Sequence, residues 1–191
     1  HAVAIAQDRI DEKTFLESVA GVPVAPHATL LSADDADSLD ASLFPAILKT
    51  ARMGYDGKGQ RSVNNIAETK AAFAELGNRV CILEKKLSLA KEVSVIVVRS
   101  LTGQTVTFPL FENVHRGILA TTVFPARVSD EVSQKVRDYA ARIAETLQYK
   151  GVLCIEFFVL TDGTVSANEM APRPHNSGHI TIEAAVTSQF E

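Results

Sequence analysis

The spacing of apolar residues along the chain predicts three long helices. Apolar positions recur at helical intervals in three segments, which cover residues 8–20, 65–77 and 130–147. Gly21 and Pro23 follow the first segment and Gly77 ends the second, as expected of residues that stop helices. Ser129 stands where an N-cap of the third helix is needed.

Shorter apolar or alternating runs predict strands between these helices. The predicted strands cover residues 44–49, 80–84, 92–99 and 105–111, and a hairpin is formed by residues 154–160 and 164–170. Residues 32–42 are polar and are expected to be a loop or a short helix, and a last helix is expected from His179 to Val186. Neighbouring strands joined by hairpins, with helices between them, favour an α+β fold over a doubly wound parallel sheet.

The predicted hairpin brings two glutamates together. A two-residue turn at Asp162-Gly163 places Glu156 directly opposite Glu169. Opposed side chains in such a pair lie about 4.5–5.5 Å apart at Cβ, so the two carboxylates repel each other without a partner. A divalent cation removes this repulsion, and magnesium suits carboxylate oxygens. If the register shifts by one residue, both glutamates are instead solvated.

A second candidate site combines a lysine with a glycine-rich loop. Lys49 ends a predicted strand, and Gly54, Gly57 and Gly59 follow within a few residues. Glycines let backbone N–H groups approach phosphate oxygens closely. The spacing differs from that of the P-loop and of the Rossmann fingerprint. The alternative is a flexible surface hairpin without a ligand.

Two further segments carry polar side chains at the ends of predicted strands. The turn Glu84 to Leu87 can offer backbone groups to a purine edge, with Glu84 reaching its amino group, or it can be a solvated strand end. Glu92 can bond a ribose hydroxyl or stand as an exposed carboxylate. The segment from Arg173 to His179 supplies a guanidinium suited to carboxylate or phosphate, and it leads into a predicted helix N-terminus.

Composition narrows the function classes. The formal net charge is -4, which argues against a nucleic-acid surface, and no apolar run reaches the length of about 20 residues that spans a bilayer. The first residues do not form a signal-peptide core. Cys81 and Cys154 lie in apolar runs and are expected to be reduced, buried thiols of a cytoplasmic protein. His1 and Glu191 are expected to be cuts through a longer protein.

Taken together, these segments resemble the ATP-grasp enzymes, and among them the PurK-type family of N5-carboxyaminoimidazole ribonucleotide synthetases. The resemblance rests on two motifs: Lys-Thr-x3-Gly-Tyr-Asp-Gly-Lys-Gly-Gln at 49–60 and Asn-Glu-Met-Ala-Pro-Arg-Pro-His-Asn-Ser-Gly-His at 168–179. Residues 7–13, with Glu12-Lys13, and the tail 187–191 fit the same family. Ala171 stands where many ATP-grasp relatives have an asparagine, which leaves a third protein ligand for the metal open.

The resemblance implies a role for each motif residue. ATP contacts are implied for Lys49, Gly57, Lys58, Gly59, Gln60, Glu84, Lys85, Lys86, Leu87 and Glu92. Magnesium, or manganese in its place, is implied at Glu156 and Glu169. Catalytic roles are implied for Arg173, Tyr55 and Asp56, and substrate binding for His175, Asn176 and Ser177. Residues 55–60 are implied to form a mobile loop that closes over the phosphates and bicarbonate.

The implied fold is ATP-grasp, in which two α+β subdomains grip ATP. Residues 1–43 are expected to be an N-terminal helix and connector, residues 44–86 a lid subdomain and residues 87–191 a core subdomain, with flanking domains missing. The implied activity is that of an ATP-dependent carbon–nitrogen ligase of purine biosynthesis. It carboxylates aminoimidazole ribonucleotide with bicarbonate, and the full-length enzyme is implied to be a homodimer without nucleic-acid or membrane partners.

Two other functions stay open on sequence. A formate-dependent glycinamide ribonucleotide transformylase shares the fold and a similar Gly-Lys-Gly-Gln loop. Tyr55-Asp56 before that loop and Asn176-Ser177 after His175 favour the carboxylating enzyme. The other alternative is an ATP-binding module without catalysis of its own, because the flanking domains are expected to be missing from this chain.

Overall fold

Two antiparallel sheets, each with its own apolar core, make up most of the structure. The computed structural model describes residues 1–54 and 59–191. Its helices are α1 (Ala2–Ala6), α2 (Arg9–Thr14), α3 (Ile66–Glu75), α4 (Asp130–Thr146) and α5 (Thr181–Ala184). A π-helical turn, Phe15–Val19, continues α2, and 3-10 turns cover Asp34–Ser38, Ala41–Leu43 and Asn176–Gly178. The strands are β1 (His27–Leu30), β2 (Ala46–Thr50), β3 (Gln60–Val63), β4 (Cys81–Lys85), β5 (Leu89–Arg99), β6 (Thr105–Thr107), β7 (Phe111–Arg116), β8 (Ile118–Val123), β9 (Gly151–Leu160) and β10 (Val165–Ala171).

The larger sheet has the strand order β10-β9-β5-β7-β8, and β6 pairs with the other end of β5. Helix α4 packs on it through one buried stripe, formed by Val136, Ala140, Ile143 and Ala144. Ser129 caps this helix as predicted, since its hydroxyl accepts the N–H of Val132 at 3.3 Å. Phe15 and Leu16, at the end of the N-terminal helices, complete the same core.

The smaller sheet has the order β1-β4-β2-β3 and is covered by α3. Phe73 of α3 shares its core with Leu48 and Leu83 from the two central strands. Asn65 caps α3 by accepting the N–H of Glu68 at 2.9 Å. The two sheets therefore bury separate sets of apolar side chains, and the predicted α+β fold is confirmed.

The predicted hairpin is present, but its register differs from the sequence-based expectation near the turn. The loop has three residues rather than two, because the N–H of Leu160 donates to the carbonyl of Thr164. Val159 therefore faces Val165, one position away from the predicted pairing. A β-bulge at Asn168 restores the count, and Glu156 faces Glu169. The predicted glutamate pair is correct because two local differences compensate.

Two predicted elements are wrong. The last helix covers only Thr181–Ala184, and Ala185 after it has an extended backbone. The side chains of Ile182 and Val186 are exposed, so this segment lacks the packing that stabilises most short helices. The predicted strand 105–111 is two strands, because Pro109 cannot donate to a ladder and separates β6 from β7.

The apolar pattern does not predict α1, β1, β3 or β8. Strand β3, for example, reads Gln-Arg-Ser-Val and is held by its pairing with β2 rather than by its own propensity. The division of the chain at residues 43 and 86 stays a prediction. Because β1 pairs with β4, we propose that the smaller unit begins near His27 instead.

Cys81 and Cys154 are free thiols in separate apolar clusters. The helices of the described residues include none with the length and apolar character required to cross a membrane.

Candidate active site

The β9–β10 pair holds two carboxylates side by side at one edge of the larger sheet. Glu156 lies opposite Glu169, and each has a partner of its own. The Arg9 guanidinium donates to Glu169 Oε2 at 3.1 Å. His175 Nε2 lies 3.3 Å from Glu156 Oε1. These contacts offset part of the repulsion expected from the sequence.

The electrostatics of this pair favour a cation. Burial and the nearby Glu169 carboxylate raise the pKa of Glu156 to about 7. Among the described residues, no cluster of three or more His, Cys, Asp or Glu side chains is arranged to hold a metal ion. Magnesium commonly takes only one or two carboxylates and completes its shell with phosphate oxygens and water. Glu156 and Glu169 therefore fit a magnesium ion that arrives with a phosphate ligand.

Lys49 lies in a buried chain of ion pairs. Its Nζ is 3.0 Å from Glu84 Oε1, and the Nζ of Lys13 is 3.3 Å from Glu84 Oε2. Burial raises the pKa of Glu84, but the two ammonium groups lower it more, so the carboxyl stays ionised. The predicted contact of the Glu84 carboxylate with a purine amino group disagrees with the structure. This side chain points inward and pairs with two lysines instead.

The turn after Glu84 is fixed by its backbone. The N–H groups of Lys85 and Lys86 donate to the carbonyls of Pro26 and Pro45, each at 2.8 Å. These two N–H groups are therefore already used within the fold. The side chain of Leu87 is half-buried. A role of this turn in adenine binding stays a prediction.

A groove of about 260 Å³ lies beside Glu92, between β5 and β7. The Glu92 carboxylate is 2.7 Å from His115 Nδ1, and this contact raises the pKa of His115. Deeper in the groove, Glu112 is bound by Lys91 at 2.9 Å and by the Arg127 guanidinium at 2.6 and 3.1 Å. The contacts with Arg127 lower the pKa of Glu112 to about 2, because their effect is larger than the opposing effect of burial. Ribose binding by Glu92 stays a prediction.

The loop after β10 places His175 next to Glu156, and a buried chain of hydroxyl groups holds the other side of the imidazole ring. His175 Nδ1 lies 2.9 Å from Ser177 Oγ, and Ser177 Oγ lies 2.8 Å from Ser94 Oγ. The amide of Asn113 donates to Ser94 Oγ at 2.9 Å. The N–H of Ser177 also donates to His175 Nδ1, so that nitrogen is an acceptor. The hydrogen of the neutral ring is then on Nε2 and points to Glu156.

The rest of the loop is held by Gln189. This buried side chain accepts the N–H of His175 at 2.9 Å and donates to the His175 carbonyl at 2.8 Å. Gly178 allows the close approach, since a Cβ there would lie 2.6 Å from Gln189 Oε1 and 2.2 Å from Ile96 Cδ1. Arg173 and Asn176 are exposed, and Arg173 donates to the carbonyl of Pro174.

Four predicted residues lie outside the described part of the chain: Tyr55, Asp56, Gly57 and Lys58. The residues that flank them are fixed. The N–H of Thr50 donates to the Gly59 carbonyl at 2.9 Å, and Gln60 pairs with Lys49. Gly59 has a φ of +74, and a Cβ there would lie 2.8 Å from Thr50 Oγ1. A larger residue is therefore disfavoured at this position.

The structure adds site residues to which the sequence assigned no role. They are Arg9, Glu12, Lys13, Ser94, Asn113, His115 and Gln189, and all except Arg9 and His115 are buried. The sequence gives only two weak signals that these residues belong to a site. One is a serine inside the apolar run of β5, and the other is the presence of charged residues on the apolar side of a helix. Only the folded chain shows which of these polar side chains face the site.

Comparison with known proteins identifies the family. The family model described as ATP-grasp domain matches residues 15–190. The N5-carboxyaminoimidazole ribonucleotide synthase of Bacillus subtilis is 44% identical over 189 residues, which cover 98% of this chain and 50% of that protein. The chain thus spans about half the length of the curated relatives it matches.

Solved structures agree with the sequence comparison. A crystal structure of the ADP complex of purK, an N5-carboxyaminoimidazole ribonucleotide synthetase, has a TM-score of 0.92 and 43% identity, covering 99% of this chain and 50% of that one. The Aspergillus clavatus N5-carboxyaminoimidazole synthase, in complex with ADP and 5-aminoimidazole ribonucleotide, has a TM-score of 0.89 and 31% identity, covering 99% and 50%. The resemblance inferred from the two sequence motifs is confirmed.

Proposed function

The chain belongs to the ATP-grasp family, and from this premise we propose that it is the nucleotide-binding part of an ATP-dependent carbon–nitrogen ligase. The proposed reaction carboxylates 5-aminoimidazole ribonucleotide with bicarbonate in purine biosynthesis. The products are N5-carboxyaminoimidazole ribonucleotide, ADP and phosphate. Similarity to synthases of this name over 98% of the chain supports the choice of reaction.

One structural observation carries the proposal: the hairpin brings Glu156, Glu169 and His175 together beside Arg9. Two carboxylates for a metal, a guanidinium and an oriented imidazole thus lie together at the β10 edge of the larger sheet. Lys49 is connected to the same region by ion pairs, because Glu84 contacts both Lys49 and Lys13. Residues of both sheets therefore contribute to the site. Such a set of charges suits a transferring phosphoryl group, where catalysis is mainly positioning and charge stabilisation.

In this proposal the chain binds ATP between the two sheets. Lys49, Gly59 and Gln60, together with Gly57 and Lys58, bind the phosphates, and the backbone of residues 85–87, with the Glu92 carboxylate, binds the nucleoside. Glu156 and Glu169 hold magnesium, which neutralises phosphoryl oxygens when bound. Arg9, fixed on Glu169, adds a positive charge to the same phosphates.

The loop after β10 is the proposed place of carboxyl transfer. Transfer of the γ-phosphoryl group from ATP to bicarbonate gives ADP and carboxyphosphate. The exocyclic amine of the ribonucleotide then attacks the carboxyl carbon of carboxyphosphate, or of the carbon dioxide that forms when phosphate leaves it, and the amine loses a proton as the nitrogen–carbon bond forms. Arg173 stabilises this anionic intermediate, and Tyr55 and Asp56 belong to the loop that closes over it. His175 and Asn176 bind the ribonucleotide, and Ser177, whose buried hydroxyl contacts His175 Nδ1, positions the histidine. The fixed Nε2–H of His175 keeps the Glu156 carboxylate oriented while this happens. Closure of the glycine-rich loop excludes water from the labile intermediate.

An assay of the full-length protein tests the reaction. Release of phosphate from ATP is followed with aminoimidazole ribonucleotide and bicarbonate, and in parallel with glycinamide ribonucleotide and formate. We expect release only with the first pair. Release only with the second pair would identify the formate-dependent transformylase instead. The isolated chain, which spans half of its relatives, is expected to bind magnesium–ATP weakly and to turn over little.

We also propose an oligomeric state and a cellular compartment for the full-length protein. We expect the full-length protein to be a cytoplasmic homodimer with small-molecule substrates and without nucleic-acid or membrane partners. Sedimentation of the full-length protein over a range of concentrations tests the dimer.

A further inference from the structure

Helix α2 turns three charged side chains toward strand β10. Arg9, Glu12 and Lys13 are spaced so that they share one face of the helix. Glu12 is 2% exposed and Lys13 is 1% exposed. Charged residues are almost never buried this far unless they are paired, because losing their hydration is expensive. Their contacts therefore have to explain why they are there.

The contacts of Glu12 and Lys13 flank Glu169. Glu12 Oε1 accepts the backbone N–H of Met170 at 2.7 Å. Lys13 Nζ donates to the backbone carbonyl of Asn168 at 2.6 Å. Asn168 and Met170 are the two neighbours of Glu169 in the chain, and Arg9 binds the Glu169 carboxylate itself. Arg9, Glu12 and Lys13 thus all act on a single position of β10.

Strand β10 needs such contacts because it lies at the edge of the sheet. Its partner strand is β9, and the ladder between them is interrupted by the bulge at Asn168. Backbone groups on an open edge and at a bulge are left for other partners. Side chains of α2 take the place of a neighbouring strand over these residues.

We propose that Glu12 and Lys13 are positioning residues that fix the backbone on both sides of Glu169 and thereby aim its carboxylate at the metal–nucleotide complex. This inference rests on the proposed function, in which Glu169 binds magnesium with ATP. Partners that orient a metal ligand commonly change metal affinity by about 10- to 100-fold when they are altered. Neither residue touches the metal or the nucleotide in this arrangement.

Lys13 also connects the metal strand with the phosphate-binding lysine. Its Nζ lies 3.3 Å from Glu84, which in turn holds Lys49 at 3.0 Å. The position of Glu169 in the larger sheet is thereby linked to that of Lys49 in the smaller one. A change at Lys13 is expected to affect both the metal and the phosphate contacts, whereas a change at Glu12 affects the metal contact alone.

Two substitutions of Glu12 separate the reach of the side chain from its charge. Glu12→Asp keeps an ionisable carboxyl group but withdraws it by one methylene from the N–H of Met170. Glu12→Gln removes the ionisable group but keeps an oxygen acceptor at the same distance. If Glu12 acts by holding the backbone, Asp is the damaging substitution and Gln is tolerated. If it acts only as a balancing charge, the order is reversed. Glu17→Asp and Glu17→Gln, at an exposed position of the same helical segment, are matched controls.

Two readouts are needed, and both use the full-length protein. Hydrogen exchange of the segment 165–171 reports the backbone contact, and we expect about 10- to 100-fold faster exchange of the Met170 amide in Glu12→Asp. The magnesium concentration that gives half-maximal ATP binding reports the aim of Glu169, and we expect it to rise about 10-fold in the same variant. Glu12→Gln and both Glu17 variants are expected to stay near the wild type in both measurements.

The outcomes distinguish the two levels of the proposal. Faster exchange at Met170 with an unchanged magnesium requirement would show that Glu12 is merely structural and would overturn the inference. Greater damage from Gln than from Asp would overturn it as well. A wild-type protein whose ATP binding does not depend on magnesium would instead refute the proposed function. Should Glu12→Asp fail to fold, Lys13→Arg, which displaces the donor from Asn168 while keeping the charge, tests the other side of Glu169. Its effect on Lys49 through Glu84 is then separated by measuring ATP affinity at saturating magnesium.

Discussion

The buried Glu12 carboxyl is expected to make the stability of the protein fall as pH rises. Burial, and then the Glu169 carboxylate, raise the pKa of Glu12 from 4.5 to about 8. The folded protein therefore binds a proton at Glu12 over a pH range in which the unfolded chain has lost it. Stability from this group is fully present below pH 4.5 and is lost progressively up to the folded pKa near 8.

The size of this effect follows from the shift. One pKa unit corresponds to about 1.36 kcal/mol, so the full shift corresponds to about 5 kcal/mol of unfolding free energy, of which about 3 kcal/mol falls between pH 5.5 and pH 8. Glu12→Gln removes the titration and keeps the acceptor for Met170. The stability of the variant relative to the wild type is therefore expected to increase by up to about 3 kcal/mol over that pH range.

Urea unfolding measures this difference without metal or nucleotide. The chain has no tryptophan, so far-UV circular dichroism is the suitable signal. Wild type, Glu12→Gln and the exposed control Glu17→Gln are compared at several pH values, with equal m-values required for each pair. Titrating groups that do not interact with Glu12 cancel in the difference between wild type and variant, which leaves Glu12 together with its coupling to Glu169. A difference that does not change between pH 5.5 and pH 8 would refute the raised pKa, and equal changes in the Glu17 control would show that the effect is not specific to burial.

Three further substitutions test other parts of the site. Gly178→Ala is expected to lower stability by about 1–3 kcal/mol in urea unfolding, because the new Cβ meets Ile96 and Gln189; a change within about 0.5 kcal/mol would contradict this packing. Glu169→Gln is expected to abolish the magnesium dependence of ATP binding in calorimetry while leaving the melting temperature without metal unchanged or higher, and an unfolded variant would indicate a structural role. Arg173→Lys is expected to reduce carboxylation by the full-length enzyme at least about 10-fold because lysine lacks the guanidinium fork; near-normal kinetics would contradict the assigned role.

Helices α3 and α4, the helical segment 9–19 and the central strands follow from the apolar pattern because each is long enough to show its period. The stripe of α4, with Ser129 as its cap, is readable directly from the sequence. Strand β3 is not, since its four residues are mostly polar and gain their structure from the neighbouring strand. The prediction of the final helix is wrong although its apolar residues have helical spacing. Val186 has the right spacing, but it packs against nothing among the described residues.

The residues of the candidate site also divide into those that the sequence predicts and those that only the structure shows. Glu156, Glu169 and His175 are found from the sequence because they stand in motifs with strong local features. Glu12 and Lys13 are not, because a charged pair on a helix normally faces water, and only the packing of α2 on β10 shows that it does not. Burial is a property of the tertiary structure, so buried polar contacts are the part of a site that sequence patterns report least.

The bulge at Asn168 has a consequence for recognising this site in other chains. Glu169 follows Glu156 by 13 positions, and a two-residue turn without a bulge produces the same separation as the three-residue turn with a bulge found here. Residue spacing therefore reports the combined length of turn and bulge, not either one. Loss of one residue at the turn, or of the bulged residue itself, would leave both glutamates opposed while bringing them one position nearer in sequence. A search pattern with a fixed interval between the two carboxylates would discard such chains although their geometry is intact.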